Sequence, residues 1–346
     1  MSLLSPKQID HFNEQGYVVI EKVIDPTTVL DPVIDEYTQV LDFLANESYQ
    51  SGQIVSEYSH LPFDQRFITI CHETGQTHQQ FFDFSLPKSG VKADTPFWAG
   101  PAVFHALTDS ALLDAVESLI GSEIYSNPVQ HVRIKPPEHL LPTNQFGNPI
   151  LGATTWHQDQ GVITPDANDT DMITVWFSLE DVSIEQGPLK VVPKSHKPGL
   201  QIHCLDYTGN GPKQTVGGAQ IPEKLFAAET VVPLPVKRGE VILMHKHTIH
   251  GSLPNLSDTI RWSFDLRYNP TGQATGRQVF PGFVARSRQN PGAELRDPDQ
   301  WSQLWSQART EMAQINQQGQ TDFKFDRWYP DQLGCAQMTS IGLTIS

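Results

Sequence analysis

The chain has 346 residues, long enough for a sizeable buried core in one large domain or two modest ones. Hydrophobic residues at 38% exclude global disorder, and a net charge of −15 with no block of Lys or Arg excludes sequence-independent binding to nucleic acid or anionic lipid. No run approaches the roughly 18 apolar residues of a membrane span, and the start Met1–Pro6 lacks the basic end and apolar run of a signal peptide.

In chain order, Ser5-Pro6 opens a short amphipathic helix with Ile9 and Phe12 on its apolar face. Gly16 stops it, and Tyr17-Val18-Val19-Ile20 reads as a strand. Asp109-Ser110-Ala111 starts a second helix, with Leu112, Leu113, Val116, Leu119 and Ile120 on one face and Gly121 at its end. From about residue 124 the pattern changes to strands over Ile124–Ile134, Met172–Leu179, Leu189–Val192, Val241–Met244 and Ile260–Tyr268. Long loops at 136–155, 196–230 and 271–297 separate or follow them; loops of that length usually serve as lids or binding segments. Trp301–Asn316 predicts a late surface helix. The expected fold is mainly β with flanking helices, an antiparallel sandwich or jelly roll. It is read as a single domain over 1–346, with N-terminal elements at 5–123, a β core at about 124–270 and a helical extension at 297–346. Cys71, Cys204 and Cys335 are widely spaced and odd in number. They suggest neither a disulfide framework nor a Cys-rich metal site, and the expectation is inert thiols in a reducing cytoplasm.

Of 13 histidines, only His157 stands two residues before a carboxylate, Asp159. On an extended segment that spacing puts an imidazole and a carboxylate on the same side. It is the start of a two-His-one-carboxylate iron site, or simply a His beside an Asp. Gly239–Met244 is a turn and an apolar strand leading to His245, His247 and His250. The following strand alternates strictly, so Arg261, Ser263, Asp265 and Arg267 share one face. An Arg facing a β core needs an anion, and its planar fork suits a carboxylate. With iron present that anion would be the far carboxylate of 2-oxoglutarate; without it, a core ion pair with Asp265 is the alternative. Arg267 has two readings, a grip on an anionic substrate or a pair with Asp265.

Several segments together resemble the phytanoyl-CoA dioxygenase family of Fe(II)/2-oxoglutarate oxygenases. They are Phe12–Val23, Ile134-Lys135-Pro136-Pro137, His157-Gln158-Asp159, Gly187–Lys197, and Gly239-Glu240-Val241 through His250-Gly251-Ser252, with Arg261 eleven residues after His250. They run in the family's order over about residues 8–270, and the tail beyond carries no matching motif. The resemblance implies a double-stranded β-helix (cupin-like jelly roll), with Fe(II) on His157, Asp159 and His250. It implies 2-oxoglutarate on Arg261 and Ser252, with Trp176 lining that pocket and His131 near a cosubstrate contact position. O2 is the second cosubstrate, succinate and CO2 are released, and the substrate is a small organic molecule whose C–H bond is hydroxylated or otherwise oxidised. The carboxylate at Asp159 disfavours halogenation. The segment 136–155 is the expected lid.

Other readings remain at this point. Gly239 followed by His245 and His247 fits the opening of a cupin metal motif, but Gly251 and Ser252 stand where its Glu belongs. A cupin-like isomerase, or a β-barrel that binds a ligand without turnover, is the alternative function. Trp156, Trp262 and Phe264 read as core packing, and Ser195-His196 as a loop-holding pair.

Overall fold

The computed structural model describes residues 3–143, 149–205, 219–318, 327–328 and 335. Its start follows the sequence closely. Ser5 caps α1 (Pro6–Gln15), accepting from the Gln8 N–H while the Gln8 side chain accepts from the Ser5 N–H. Gly16 ends the helix at a φ of 84°, and a Cβ there would run into the His196 ring and the Thr248 hydroxyl. β1 (Tyr17–Ile20) follows.

A π-helical turn (Pro26–Leu30) then leads into helices that the sequence analysis did not place individually: α2 (Asp31–Gln50), α3 (Phe63–Thr74), α4 (Gln79–Phe82) and α5 (Pro101–Leu107). α2 buries Val33, Tyr37, Val40, Leu41 and Leu44, the three-and-four spacing of one helix face. The expected second helix is α6 (Ser110–Ile120), capped by the Asp109 carboxylate, which accepts from the Ala111 and Leu112 N–H groups.

The strands that follow are β2 (Glu123–Lys135), β3 (Ile173–Ser178), β4 (Leu189–Val191), β5 (Cys204–Leu205) and β6 (Ala219–Gln220). After them come β7 (Val232–Leu234), β8 (Val241–His245), β9 (His250–Ser252), β10 (Arg261–Pro270) and β11 (Phe283–Ser287). The last described helix, α7 (Pro298–Gln317), brackets the expected Trp301–Asn316. The main sheet has the order β1-β8-β3-β10-β2-β11, the second β7-β4-β9, and β5 pairs with β6. All these pairings are antiparallel. The fold is a jelly roll with flanking helices.

The two faces of the main sheet have different neighbours, as a period of two requires. Trp262, Phe264, Leu266 and Tyr268 of β10, with Val132, Ile134, Val175 and Phe177, join the helical core that includes Tyr37, Phe67, Phe104 and Trp301. Trp176, Ile242 and Met244 face the other way and pack with Leu189, Val191 and Leu234 of the second sheet. Arg261, Ser263, Asp265 and Arg267 lie on that inner face.

Three expectations need correction. The β core is wider than 124–270, because β1 pairs with β8 and β11 pairs with β2 in the main sheet. β11 lies inside the segment expected as the loop 271–297; its short sequence, Phe-Val-Ala-Arg-Ser, alternates too weakly to announce a strand. Cys204 and Cys335 are joined in a disulfide across 131 residues, while Cys71 is free and buried. Sequence spacing says nothing about that pairing; the fold brings the two Cα atoms to 5.6 Å, within bridging range. The parts of the expected lid at 144–148, of the loop at 206–218 and most of the tail beyond 318 lie outside the described residues. Among the described residues no helix is long and apolar enough to cross a membrane.

Candidate functional site

His157 and His250 meet across the mouth of the roll. An isolated antiparallel bridge joins them, with His157 N–H donating to His250 O at 2.9 Å and His250 N–H to His157 O at 3.0 Å. The expected strand at His157–Asp159 is therefore only a bridge, and the chain turns at once into a 3-10 helix (Asp159–Val162). Gln158 is nevertheless extended (φ −119°, ψ 141°), so the alternation holds locally. The Gln158 side chain points away, donating to Gly199 O and His247 O, while His157 and Asp159 converge.

Asp159 Oδ1 lies 3.8 Å from His157 Nε2 and 3.9 Å from His250 Nε2. Among the described residues this is the one set of three such groups near enough to share an ion, with all three ligand atoms within 4.8 Å of one another. Each imidazole has Nδ1 on a backbone carbonyl, Thr155 O at 2.8 Å for His157 and Thr248 O at 3.0 Å for His250. That fixes the tautomer and turns the Nε2 lone pair toward the shared point. Burial, then the neighbouring His250, pushes His157 down to about 3, so it is a neutral donor. Burial alone would raise the Asp159 carboxyl, but Arg267 and the two imidazoles hold it well below the usual range. Two imidazoles and one carboxylate, meeting at one point, suit a divalent ion with open positions.

His245 and His247 do not join this set. Their rings lie 5.3 Å apart, next to His196 at 5.1 Å from His245, and His245 Nδ1 accepts from the His247 N–H. Ser195 ties its loop to β9's entry: its hydroxyl donates to Val192 O and accepts from the Ile249 N–H.

A second cluster lies along the inner faces of β10, β2 and β9. Arg261 is 2% exposed, donates to Gly187 O at 3.0 Å and leaves Nε without a partner. No carboxylate among the described residues pairs with it. Asp265, the alternative partner in the sequence reading, pairs with Arg267 at 3.3 Å and lies 3.8 Å from Arg133. Burial, with Arg133 nearby, lowers Arg261 to about 9. Trp176 lies beneath the guanidinium, 5.7 Å from ring centre to Cζ. Lys135 is the cross-strand partner of Arg261, and its Nζ donates to Ser252 Oγ at 2.9 Å and to Thr154 Oγ1 at 2.7 Å. Burial and then Arg261 push Lys135 well below its ordinary value. Two buried basic groups side by side, neither paired with a carboxylate among the described residues, form a cradle for one.

Beside His157 opens a cavity of about 370 Å³ whose lining includes Asp83, His131, Arg133, Thr154, His157 and Arg267. Its size suits a small molecule. Arg261 lies outside this lining. His131 is oriented by Asp83, Nδ1 to Oδ2 at 2.7 Å. Trp262 and Phe264 sit in the helical core as expected, and Trp156 packs in a separate cluster with Ile249, under the Lys190 ammonium.

The sequence reading missed Lys135, Arg133 and Asp83 as site groups. A signal existed for the first two: His131, Arg133 and Lys135 place three titratable side chains at every second position of one strand. Asp83 gave none, because nothing local links it to residue 131.

The phytanoyl-CoA dioxygenase (PhyH) family profile matches residues 12–263, a span that contains His157, Asp159, His250 and Arg261. Phytanoyl-CoA dioxygenase domain-containing protein 1 of Rattus norvegicus is 27% identical over 296 residues, covering 82% of this chain and 94% of that one. A phytanoyl-CoA dioxygenase of Arabidopsis thaliana is 25% identical over 268 residues, covering 76% and 88%. Among solved structures, the apo form of the non-heme monooxygenase ThoJ shares the fold, with a TM-score of 0.55 at 18% identity, covering 90% of this chain and 100% of that one. The cofactor set of this family, Fe(II) with 2-oxoglutarate and O2, fits a His-Asp-His set in the same roll as an arginine that has no carboxylate partner among the described residues. The chain, matched by the profile over most of its length, belongs to the phytanoyl-CoA dioxygenase family.

Proposed function

We propose that this chain is an Fe(II)- and 2-oxoglutarate-dependent dioxygenase that oxidises an unactivated C–H bond of a small organic molecule, releasing succinate and CO2. The observation that carries the reading is Arg261, a guanidinium buried with no carboxylate partner among the described residues, in the same roll that gathers His157, Asp159 and His250. A core does not keep such a group for stability. When bound, Fe(II) with 2-oxoglutarate and O2 supplies the oxidising power for C–H cleavage.

The chain's own residues do the rest. His157 Nε2, His250 Nε2 and Asp159 Oδ1 would hold the ion and leave its other positions open. Arg261 and Ser252 would hold the far carboxylate, with Lys135 donating to Ser252 and Trp176 as the apolar wall. His131, kept in one orientation by Asp83, faces the cavity where substrate would sit. The described end of the 136–155 segment is tied to this site, because Thr154 N–H donates to Ser252 Oγ at 2.8 Å. A lid closing there would act on both clusters at once. The alternative of a cupin-like isomerase working through His245 and His247 finds no metal set at those residues among the described ones; a ligand binder without turnover is the other alternative. We further infer a cytoplasmic location. The Cys204–Cys335 bridge points the other way, and a thiol count on protein isolated from cells without added reductant decides between them.

The test is anaerobic titration of metal-free protein with Fe(II) and 2-oxoglutarate. A weak visible charge-transfer band is expected, absent in His157→Ala. Metal binding without a band, together with no 2-oxoglutarate-dependent O2 uptake, refutes the proposal.

A further inference from the structure

We propose that Arg267 is a positioning residue that fixes the Asp159 carboxylate for one-oxygen ligation of the metal; the proposal rests on the dioxygenase reading above. Arg267 is 2% exposed, and its position is overdetermined. Nη2 bonds Asp159 Oδ1 and also reaches Asp265 Oδ2 at 3.3 Å. Nη1 donates to Val129 O at 2.7 Å.

The seat for Nη1 comes from a local irregularity of β2. Between the pairs Asp265↔His131 and Arg267↔Asn127, β10 advances two residues while β2 advances four. Pro128 stands within the excess, where it has no N–H to give to the ladder. Bulges beside active sites re-aim nearby groups; this one turns the Val129 carbonyl to Arg267. Gln130 locks it, its Nε2 donating to Ser126 Oγ at 2.8 Å and to Arg267 O at 3.2 Å.

The two oxygens of Asp159 are held by different groups. Thr174, cross-strand neighbour of Arg267, donates its hydroxyl to Oδ2. Oδ1 takes Arg267 on one side and faces both His Nε2 atoms on the other. A carboxylate oxygen has lone pairs for both tasks. With Oδ2 engaged by Thr174, the carboxylate offers the ion one oxygen and does not occupy a second coordination position. Arg267 therefore acts through Asp159, with its Nη groups turned to the protein and not toward an anionic substrate.

Two readouts test this. The first is Co(II) affinity of the otherwise intact chain; the second is the position of the Fe(II)–2-oxoglutarate charge-transfer band under anaerobic conditions. Arg267→Gln is expected to weaken Co(II) binding about 10–100-fold, the usual effect of losing a partner of a ligand. It should also move the band to longer wavelength, because the carboxylate without its cation donates more electron density to the metal. Arg267→Lys restores the charge and should recover most of both effects. A merely structural arginine would lower thermal stability and leave the band where it is. Folded Arg267→Gln with wild-type Co(II) affinity and an unmoved band overturns the assignment. Should Arg267→Gln not fold, Arg267→Met, which keeps the volume without the charge, decides in its place, and wild-type Co(II) affinity with an unmoved band there overturns the assignment. If wild-type protein binds Co(II) but gives no band with Fe(II) and 2-oxoglutarate, the dioxygenase reading fails. The Co(II) affinities then still decide whether Arg267 holds Asp159.

Discussion

Replacing Arg261 with methionine separates the two states in which a buried arginine can be judged. In the free protein the guanidinium makes one hydrogen bond, to Gly187 O, and leaves Nε unmatched. An uncompensated buried charge costs several kcal/mol, and a charge-assisted hydrogen bond returns about 1.5–3 kcal/mol of it. Methionine, apolar and of similar length, removes both terms. Metal-free Arg261→Met is therefore expected to be more stable than wild type by roughly 1–3 kcal/mol, a rise of a few degrees in Tm. With 2-oxoglutarate bound the sign reverses. Stripping a buried carboxylate of its partner costs about 3–5 kcal/mol. Lys135 Nζ, 2.9 Å from Ser252 Oγ on the adjoining strand, retains part of that. A net loss of about 2–3 kcal/mol corresponds to a roughly 30–150-fold higher KM for 2-oxoglutarate. Calorimetry on the metal-free protein and 2-oxoglutarate-dependent O2 uptake read the two halves. A variant less stable than wild type, with KM unmoved, would show Arg261 to be a structural tie between β10 and the Gly187 turn, and the reasoning would be wrong.

Other perturbations follow from the same contacts. Asp159→Ala should abolish succinate formation and also destabilise the fold by about 3–5 kcal/mol, because Arg267 loses its main buried partner; succinate assays and urea melts check both, and retained turnover would sink the metal set. Gly161→Ala places a Cβ against the His203 ring, which should displace the Asp159 turn and weaken Co(II) binding with little change in the sheets; normal affinity would show that the turn adapts. Cys335→Ser opens a 131-residue loop and should cost about 2–4 kcal/mol in non-reducing buffer, a loss that reductant reproduces in wild type; equal midpoints would mean the bridge does not form in solution. Acid should also destabilise the metal-free protein. Burial lowers His157 to about 3 and His203 to about 4, so the unfolded chain takes up protons below 6.5 that the native state refuses. The stability present above 6.5 is then lost as pH falls toward 4, with a slope approaching about 3 kcal/mol per pH unit for two sites. Denaturation midpoints at pH 7 and 5 test it, and equal values would refute it.

The site was legible where chemistry sits at fixed short spacings. His157 and Asp159 stand two apart, and the structure brings both to His250; the eleven-residue step from His250 to Arg261 was legible only through the family resemblance. The strict alternation of β10 announced a polar inner face, and the structure places it there. What the residues alone left open was the division of labour on that face. Whether Asp265 pairs with Arg261 or Arg267 depends on the register shift between β10 and β2, and a shift of that kind is set by a partner strand some 130 positions away. Asp83 and the Cys204–Cys335 bridge were illegible for the same reason, since neither contact has a local pattern. The helices between residues 31 and 107 went unassigned because Phe, Trp and Pro crowd their flanks and blur the helical period, although α2 alone carries a clean apolar face.

The inner face of β10 also argues about purpose. Arg261, Ser263, Asp265 and Arg267 are all at most 8% exposed, and an apolar quartet would pack there with less desolvation. Arg267 and Asp265 meet each other, and Arg267 also meets Asp159, so their charges are balanced by groups of the protein itself. Arg261 is the same residue type, on the same face of the same strand and as deeply buried. It is matched by a carbonyl and a ring but by no carboxylate among the described residues. The difference between the two arginines is the clearest indication of what the roll is built around. One holds a carboxylate that the chain supplies, and the other is set to hold a carboxylate that arrives from solution.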